Sequence, residues 1–198
     1  MNTMLEKAFL DLLSKPINEN KLFILSMGTT SELHVKYLDI AKKWYKQIGF
    51  QEKNISILNL KTDTIPSFED LDVLHMWGGN TFHYLQRIRE TGLEPRIRDF
   101  IDRDGVYIGT SAGSMLMSPD VDENLTIDVN DVGLEDVTGF GYVDYYLLVH
   151  WDTIFEELHA DVIKYSWDTG KRVISLTDQQ AILVLDNEFK IISTEINL

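Results

Sequence analysis

The sequence contains no cysteine among its 198 residues. It therefore has no disulfide bond, no zinc site built on thiolates and no cysteine nucleophile. If this chain performs covalent catalysis, another nucleophile must do it, and serine is the natural candidate. No cofactor is required by such chemistry, and we expect none.

Basic residues are scarce. The sequence has 18 Lys and Arg residues and 32 Asp and Glu residues, which gives a formal net charge of −14. A surface with that excess of negative charge repels phosphate backbones. This composition argues against nucleic acid as a partner.

Long apolar runs are also missing. No stretch approaches the roughly 18 apolar residues of a membrane-spanning helix, although 44% of the residues are hydrophobic. The N-terminal sequence MNTMLEKAF lacks the basic, apolar and cleavage regions of a signal peptide. We therefore expect a cytoplasmic protein with no membrane partner, and the length suits a single domain over residues 1–198.

What the sequence does contain is a regular alternation of strand and helix patterns. Apolar runs of strand length predict strands at 21–27, 55–60, 72–77, 106–109, 143–149 and 173–176, followed by a hairpin of 181–185 and 189–193. Helical periodicity and capping signals predict helices at 4–13, 31–48, after Asn80 or Thr81, at 96–103 and from Thr153 to about Trp167. Such alternation indicates an α/β fold with a mostly parallel sheet covered by helices on both faces.

The strongest functional signal is the segment VYIGTSAGSMLM, residues 106–117. Gly109 to Gly113 fits G-x-S-x-G, the pattern of a nucleophile elbow, in which a sharp strand-to-helix turn exposes a serine hydroxyl. A strand pattern precedes Ser111 and a helix-compatible run follows it, as that motif requires. We therefore predict Ser111 as a nucleophile, the alternative being a plain strand-to-helix turn.

A serine hydroxyl needs a base to take its proton. Among the histidines, His150 falls at the predicted carboxyl end of a strand, and ligands of parallel sheets bind at that edge. His75 precedes a strand end and is expected to be a packed core residue. The remaining histidines fall on predicted helices and are expected to be solvated: His34, His83 and His159.

The other parts of the site are less defined. The acid that would orient His150 cannot be chosen by spacing from the carboxylates that follow the elbow: Asp120, Asp122, Glu123, Asp128, Asp131, Glu135, Asp136 and Asp144. An oxyanion hole needs backbone N–H groups. The amide of Ala112 is one candidate, and Gly78 or Gly79 could supply the second.

Three segments together resemble a known family. They are MWGGNTFHYLQRIRETGL, YIGTSAGSMLMSP and GFGYVDYYLLVHWD, in that order. The resemblance is to the serine peptidase family of dipeptidase E (alpha-aspartyl dipeptidase) and cyanophycinase. It implies a three-layer fold similar to class I glutamine amidotransferases (flavodoxin-like), a serine in place of their cysteine, and a Ser-His-Asp/Glu triad without a metal.

Residue by residue, the resemblance matches Ser111 to the nucleophile and His150 to the histidine. It favours Asp128 as the acid, with Asp131 in reserve, and matches Gly79 and Ala112 to the oxyanion positions. Members usually begin with an additional strand, whereas this chain begins at the first helix, so that strand is expected to be absent.

The resemblance thus implies a serine peptidase that cleaves a small peptide through an acyl-enzyme, and the sequence leaves a homodimer open. Two other functions remain in play. One is a catalytically inactive relative that serves as a binding module. The other is an esterase of the α/β-hydrolase type, which also uses an elbow but usually places its histidine much farther from the serine.

Overall fold

The computed structural model describes residues 4–28, 32–153, 158–186 and 188–193. The α-helices of this part of the chain are α1 (Met4–Asp11), α2 (Glu32–Ile48), α3 (Thr81–Glu90), α4 (Glu94–Asp102), α5 (Ala112–Met115) and α6 (His159–Thr169). The strands are β1 (Leu22–Ser26), β2 (Ile55–Asn59), β3 (Val73–Met76), β4 (Val106–Gly109), β5 (Tyr146–Leu148), β6 (Val173–Ser175), β7 (Gln180–Leu185) and β8 (Glu188–Ser193).

The chain forms two compact units. One comprises Leu13–Gly113, and the other comprises the described residues of 1–12 and 114–198. The first unit contains the predicted parallel sheet, with strand order β2-β1-β3-β4. All three strand pairs are parallel, and every residue of β3 is buried. Near-continuous apolar strands are typical of a parallel sheet, because helices cover its faces.

Asn80 begins α3 as the sequence predicts. Its side-chain Oδ1 accepts hydrogen bonds from the backbone N–H groups of Phe82, at 2.9 Å, and His83, at 3.1 Å. These are two of the donors that the first turn of a helix leaves unpaired. The cap fixes where the chain turns from the glycine pair at residues 78 and 79 into the helix.

The second unit contains two small sheets. Strands β5 and β6 pair in parallel, and β7 and β8 form the predicted antiparallel hairpin. A buried cluster of Leu125, Leu148 and Val162 packs α6 against this region. A second cluster joins Tyr145, Leu147 and Leu176. The fold is thus α/β, with a four-stranded parallel sheet and a C-terminal hairpin.

The beginning of α6 differs from the prediction. Thr153 and Glu156 predict a capping box at the start of this helix, but the helix begins at His159. Thr153 lies in a turn, where its N–H donates to the carbonyl oxygen of His150 at 3.2 Å. Glu156 lies outside the described residues. Strand β5 is also shorter than predicted, because residues 143–145 precede it as bends.

Within the described ranges, none of the helices has both the length and the apolar composition that a membrane crossing requires.

Candidate active site

The predicted strand–turn–helix around Ser111 is present. Strand β4 ends at Gly109, Thr110 and Ser111 form the turn, and α5 begins at Ala112. Ser111 has a φ angle of 51°, a left-handed conformation that side chains other than Asn, Asp and His seldom adopt. The described residues other than glycine that share a positive φ are Asp104, His150 and Asp186. This strained backbone conformation of Ser111 is the one expected of the serine in a nucleophile elbow.

Close backbone approach explains the last glycine of the motif. A Cβ atom on Gly113 would lie 2.1 Å from the carbonyl oxygen of Met76. Gly113 therefore packs α5 directly onto the end of β3. Its carbonyl oxygen also accepts a 2.6 Å hydrogen bond from the hydroxyl of Tyr107. Burial raises the pKa of Tyr107 well above its ordinary value, so this hydroxyl stays protonated and remains a donor.

Replacing Gly113 with alanine is expected to destabilise the protein by about 3 kcal/mol, the upper part of the range for overpacked sites. The clash is with backbone, which cannot rotate away as a side chain can. Urea unfolding followed by circular dichroism measures the loss. Ser114→Ala, one residue later, is the matched control and should change the midpoint little. Equal midpoints for the two variants would show that the turn relaxes around the added methyl group.

Gly78 lies beside the serine. A Cβ atom on Gly78 would be 3.3 Å from the Cβ of Ser111 and 3.8 Å from its Oγ. Gly79, which the family resemblance matches to an oxyanion position, follows Gly78 in the turn before α3. Ala112, the other matched position, is buried at the start of α5, with 1% of its surface exposed. Gly78 therefore lies next to the side chain of Ser111.

His150 lies in the second unit, two residues after β5. Its Nδ1 is 2.6 Å from Oδ1 of Asp178, and the two side chains are 29% and 44% exposed. The parallel pairing of Leu148 with Ser175 brings the residues after both strands to one edge. His150, like Ser111, has a left-handed backbone, with a φ angle of 62°.

Two backbone contacts continue the pairing beyond β5 and β6. The N–H of Leu176 donates to the carbonyl oxygen of Leu148 at 2.8 Å, and the N–H of Trp151 donates to that of Leu176 at 3.1 Å. The N–H of Asp178 donates to Oδ1 of Asp152 at 3.1 Å. These contacts hold Asp178 where its carboxylate meets the imidazole.

Asp178 is not among the carboxylates that the sequence pattern indicates as candidates for the acid. Its position two residues after the predicted strand 173–176 is the signal that could have identified it. Neighbouring parallel strands end at the same edge of a sheet, and His150 follows the predicted strand 143–149. Asp128 and Asp131 lie in the loop that follows a short 3-10 helix, Glu123–Leu125. There the N–H of Asp128 donates to Oγ1 of Thr126 at 3.0 Å.

The other histidines differ in their surroundings. His75 is a buried core residue, 6% exposed, as expected. The expectation that His159 is simply solvated is wrong, because its ring stacks on that of Trp151 with the centroids 3.6 Å apart. His83 on α3 is also half-buried rather than fully solvated, and His34 lies on α2, where its side chain is not among those described. Within the described ranges, no three His, Asp or Glu side chains are grouped so that they could hold a metal ion.

Comparison with known proteins agrees with these features. The sequence model of Peptidase family S51 matches residues 1–192. The chain is 31% identical over 191 residues to an uncharacterized peptidase of Pasteurella multocida, covering 93% of this chain and 89% of the relative. It is 28% identical over 153 residues to peptidase E of Salmonella newport, covering 74% and 63%.

A crystal structure shows the same fold. It is that of a Listeria monocytogenes protein provisionally assigned as a peptidase E, which superposes with a TM-score of 0.79 at 22% sequence identity. The superposition covers 96% of this chain and 93% of the other.

Proposed function

This chain belongs to peptidase family S51, and from that premise we propose that it is a serine peptidase that hydrolyses small peptides of dipeptide size. Ser111 is the nucleophile, His150 the general base and Asp178 the carboxylate that orients His150. The observation that supports the proposal most is the 2.6 Å contact between His150 Nδ1 and Asp178 Oδ1. A carboxylate on Nδ1 fixes the proton there and leaves Nε2 unprotonated, as a general base requires.

The mechanism follows from these roles. His150 Nε2 takes the proton of the Ser111 hydroxyl while Oγ attacks the carbonyl carbon of the scissile bond. The amides of Ala112 and Gly79 stabilise the oxyanion of the tetrahedral intermediate. His150 then gives its proton to the leaving amine, and the C–N bond breaks. Water repeats the sequence on the acyl-enzyme, which releases the acid product and regenerates Ser111.

The strained elbow supports the role of Ser111. A left-handed serine costs roughly 1–2 kcal/mol relative to an ordinary backbone conformation, and such strain persists where surrounding structure imposes it, often at active sites. The mechanism requires Ser111 Oγ to come within about 3 Å of His150 Nε2 when substrate binds.

Asp128 is the alternative acid, favoured by the family resemblance, with Asp131 in reserve. The contact to His150 Nδ1 favours Asp178. Membership of peptidase family S51 also argues against the alternative function, an esterase of the α/β-hydrolase type.

The proposal is tested by labelling the folded protein with a fluorophosphonate probe, followed by peptide mapping. We expect one adduct, on Ser111. His150→Ala should slow labelling by roughly 10²- to 10⁴-fold, the range that general bases contribute. His83→Ala, which removes a half-buried histidine on α3, is the control and should label at the wild-type rate. A folded wild type that does not label would instead be the inactive relative.

A further inference from the structure

A buried hydrogen-bonded chain ends at the residue before the serine. His75 on β3 is 6% exposed, and both of its ring nitrogens have partners. Nδ1 is 2.9 Å from the hydroxyl of Tyr45 on α2. Nε2 is 2.7 Å from Oγ1 of Thr110. All three residues belong to the unit Leu13–Gly113.

The imidazole in this chain stays neutral. Burial lowers the pKa of His75 to about 3, and burial raises the pKa of Tyr45, whose hydroxyl therefore stays protonated. A neutral imidazole has one donor and one acceptor. One hydroxyl must accordingly donate to the ring while the other accepts from it. Either tautomer of His75 therefore bonds the ring to both hydroxyls.

Thr110 is fixed at three points. Its side chain meets His75, its N–H donates to the carbonyl oxygen of Met76 at 3.0 Å, and its carbonyl oxygen accepts from the N–H of Gly113 at 3.0 Å. Two of these contacts are backbone contacts that any residue except proline could make at position 110. The contact to His75 is specific to the side chains present.

The ring of His75 is itself held firmly. Its centroid lies 5.0 Å from that of Trp77 and 5.9 Å from that of Tyr45. The ring of Tyr45 in turn packs edge-on against Phe50 at 5.4 Å. Packing from several sides leaves the imidazole little freedom to follow a movement of Thr110. The position of the threonine hydroxyl is thereby tied to the core of the unit.

We propose that His75 is a positioning residue, and that the chain Tyr45–His75–Thr110 holds the left-handed turn that presents the Ser111 hydroxyl. The proposal rests on Ser111 being the nucleophile. A buried polar ring is not needed to fill space on β3, where an apolar side chain would pack without unpaired groups. Its hydrogen bond to Thr110 instead holds the turn that orients the Ser111 hydroxyl. That orientation matters because small misplacements of a reacting group slow catalysis strongly.

The test separates the hydroxyl of Thr110 from its bulk. Thr110→Val removes the hydroxyl and keeps the shape, whereas Thr110→Ser keeps the hydroxyl. We expect Thr110→Val to lower kcat, and the rate of fluorophosphonate labelling at Ser111, by roughly 10- to 100-fold with KM within about twofold. Thr110→Ser should restore both rates to within about threefold of wild type. Tyr45→Phe, which removes the hydroxyl that contacts His75 Nδ1, should lower both rates by an intermediate amount.

Loss of stability alone is controlled by Val73→Ala, a fully buried position at the opposite end of β3. It should lower the unfolding midpoint at least as much as Thr110→Val while labelling at the wild-type rate. The positioning role is overturned if Thr110→Val labels as fast as wild type, or if Val73→Ala slows labelling equally. A wild type that neither labels nor cleaves any peptide contradicts the proposed function, and this inference with it.

Discussion

Replacing Ser111 with alanine is expected to lower kcat for dipeptide hydrolysis by roughly 10⁴- to 10⁶-fold, the size of loss seen when a serine nucleophile is removed. No other group in the proposed mechanism can form the acyl-enzyme, so only transition-state binding by the surrounding amides would remain. The measurement is steady-state hydrolysis of a dipeptide panel that includes N-terminal aspartyl dipeptides, because the sequence resembles the alpha-aspartyl dipeptidase family.

Two variants make this result interpretable. Ser114→Ala removes a serine three residues later, on α5, and should retain activity within a few-fold. Ser111→Gly should be equally inactive but more stable than wild type by about 1 kcal/mol, because glycine adopts a positive φ without strain. An inactive but stabilised protein excludes misfolding as the cause. Activity that survives in Ser111→Ala would contradict the proposed nucleophile.

Local patterns predict the elements of this fold well. The strands of the parallel sheet are recognisable because most of their residues are apolar. Asn80 marks the start of α3 because its short side chain suits an N-cap. The elbow is equally local: Gly109, Ser111 and Gly113 stand at fixed spacing between a strand and a helix. In each case the physical cause lies within a few residues of the element itself.

The partner of His150 depends on contacts that are distant in sequence. Asp178 reaches the imidazole because β5 and β6 pair in parallel. It follows His150 by 28 positions, and that interval includes all of α6. The carboxylates of the loop between Ser111 and His150 are closer in sequence to the elbow, and the family resemblance favours Asp128 among them. Sequence spacing carries no information about register between strands that a helix separates.

The bonding of His75 is hidden for a related reason. A histidine within an apolar strand indicates burial, which the structure confirms. Its two hydroxyl partners lie 30 residues earlier and 35 residues later in the chain. Tyr45 is a neighbour because α2 packs against β3, and Thr110 is a neighbour because β4 pairs with β3.

Replacing Asp178 with asparagine is expected to lower kcat by about 10⁴-fold, with KM little changed. Asparagine fills nearly the same space, but its amide can donate to Nδ1 and so favour the tautomer with the proton on Nε2. That tautomer cannot accept the proton of Ser111. The carboxylate also offsets the charge of the imidazolium that forms in the transition state, which a neutral amide does not. The measurement is kcat and KM for the dipeptide that the wild type cleaves fastest.

Asp128→Asn is the matched comparison, because it makes the same chemical change at the acid that the family resemblance favours. If Asp178 orients His150, Asp128→Asn should retain activity within about tenfold, whereas Asp178→Asn loses nearly all of it. The reverse order of losses would assign the role to Asp128 and reduce the contact at His150 Nδ1 to a surface ion pair, which at 44% exposure of Asp178 would matter little to stability. The ratio of the two kcat values therefore identifies the acid, since both variants keep the size of the side chain and remove one negative charge.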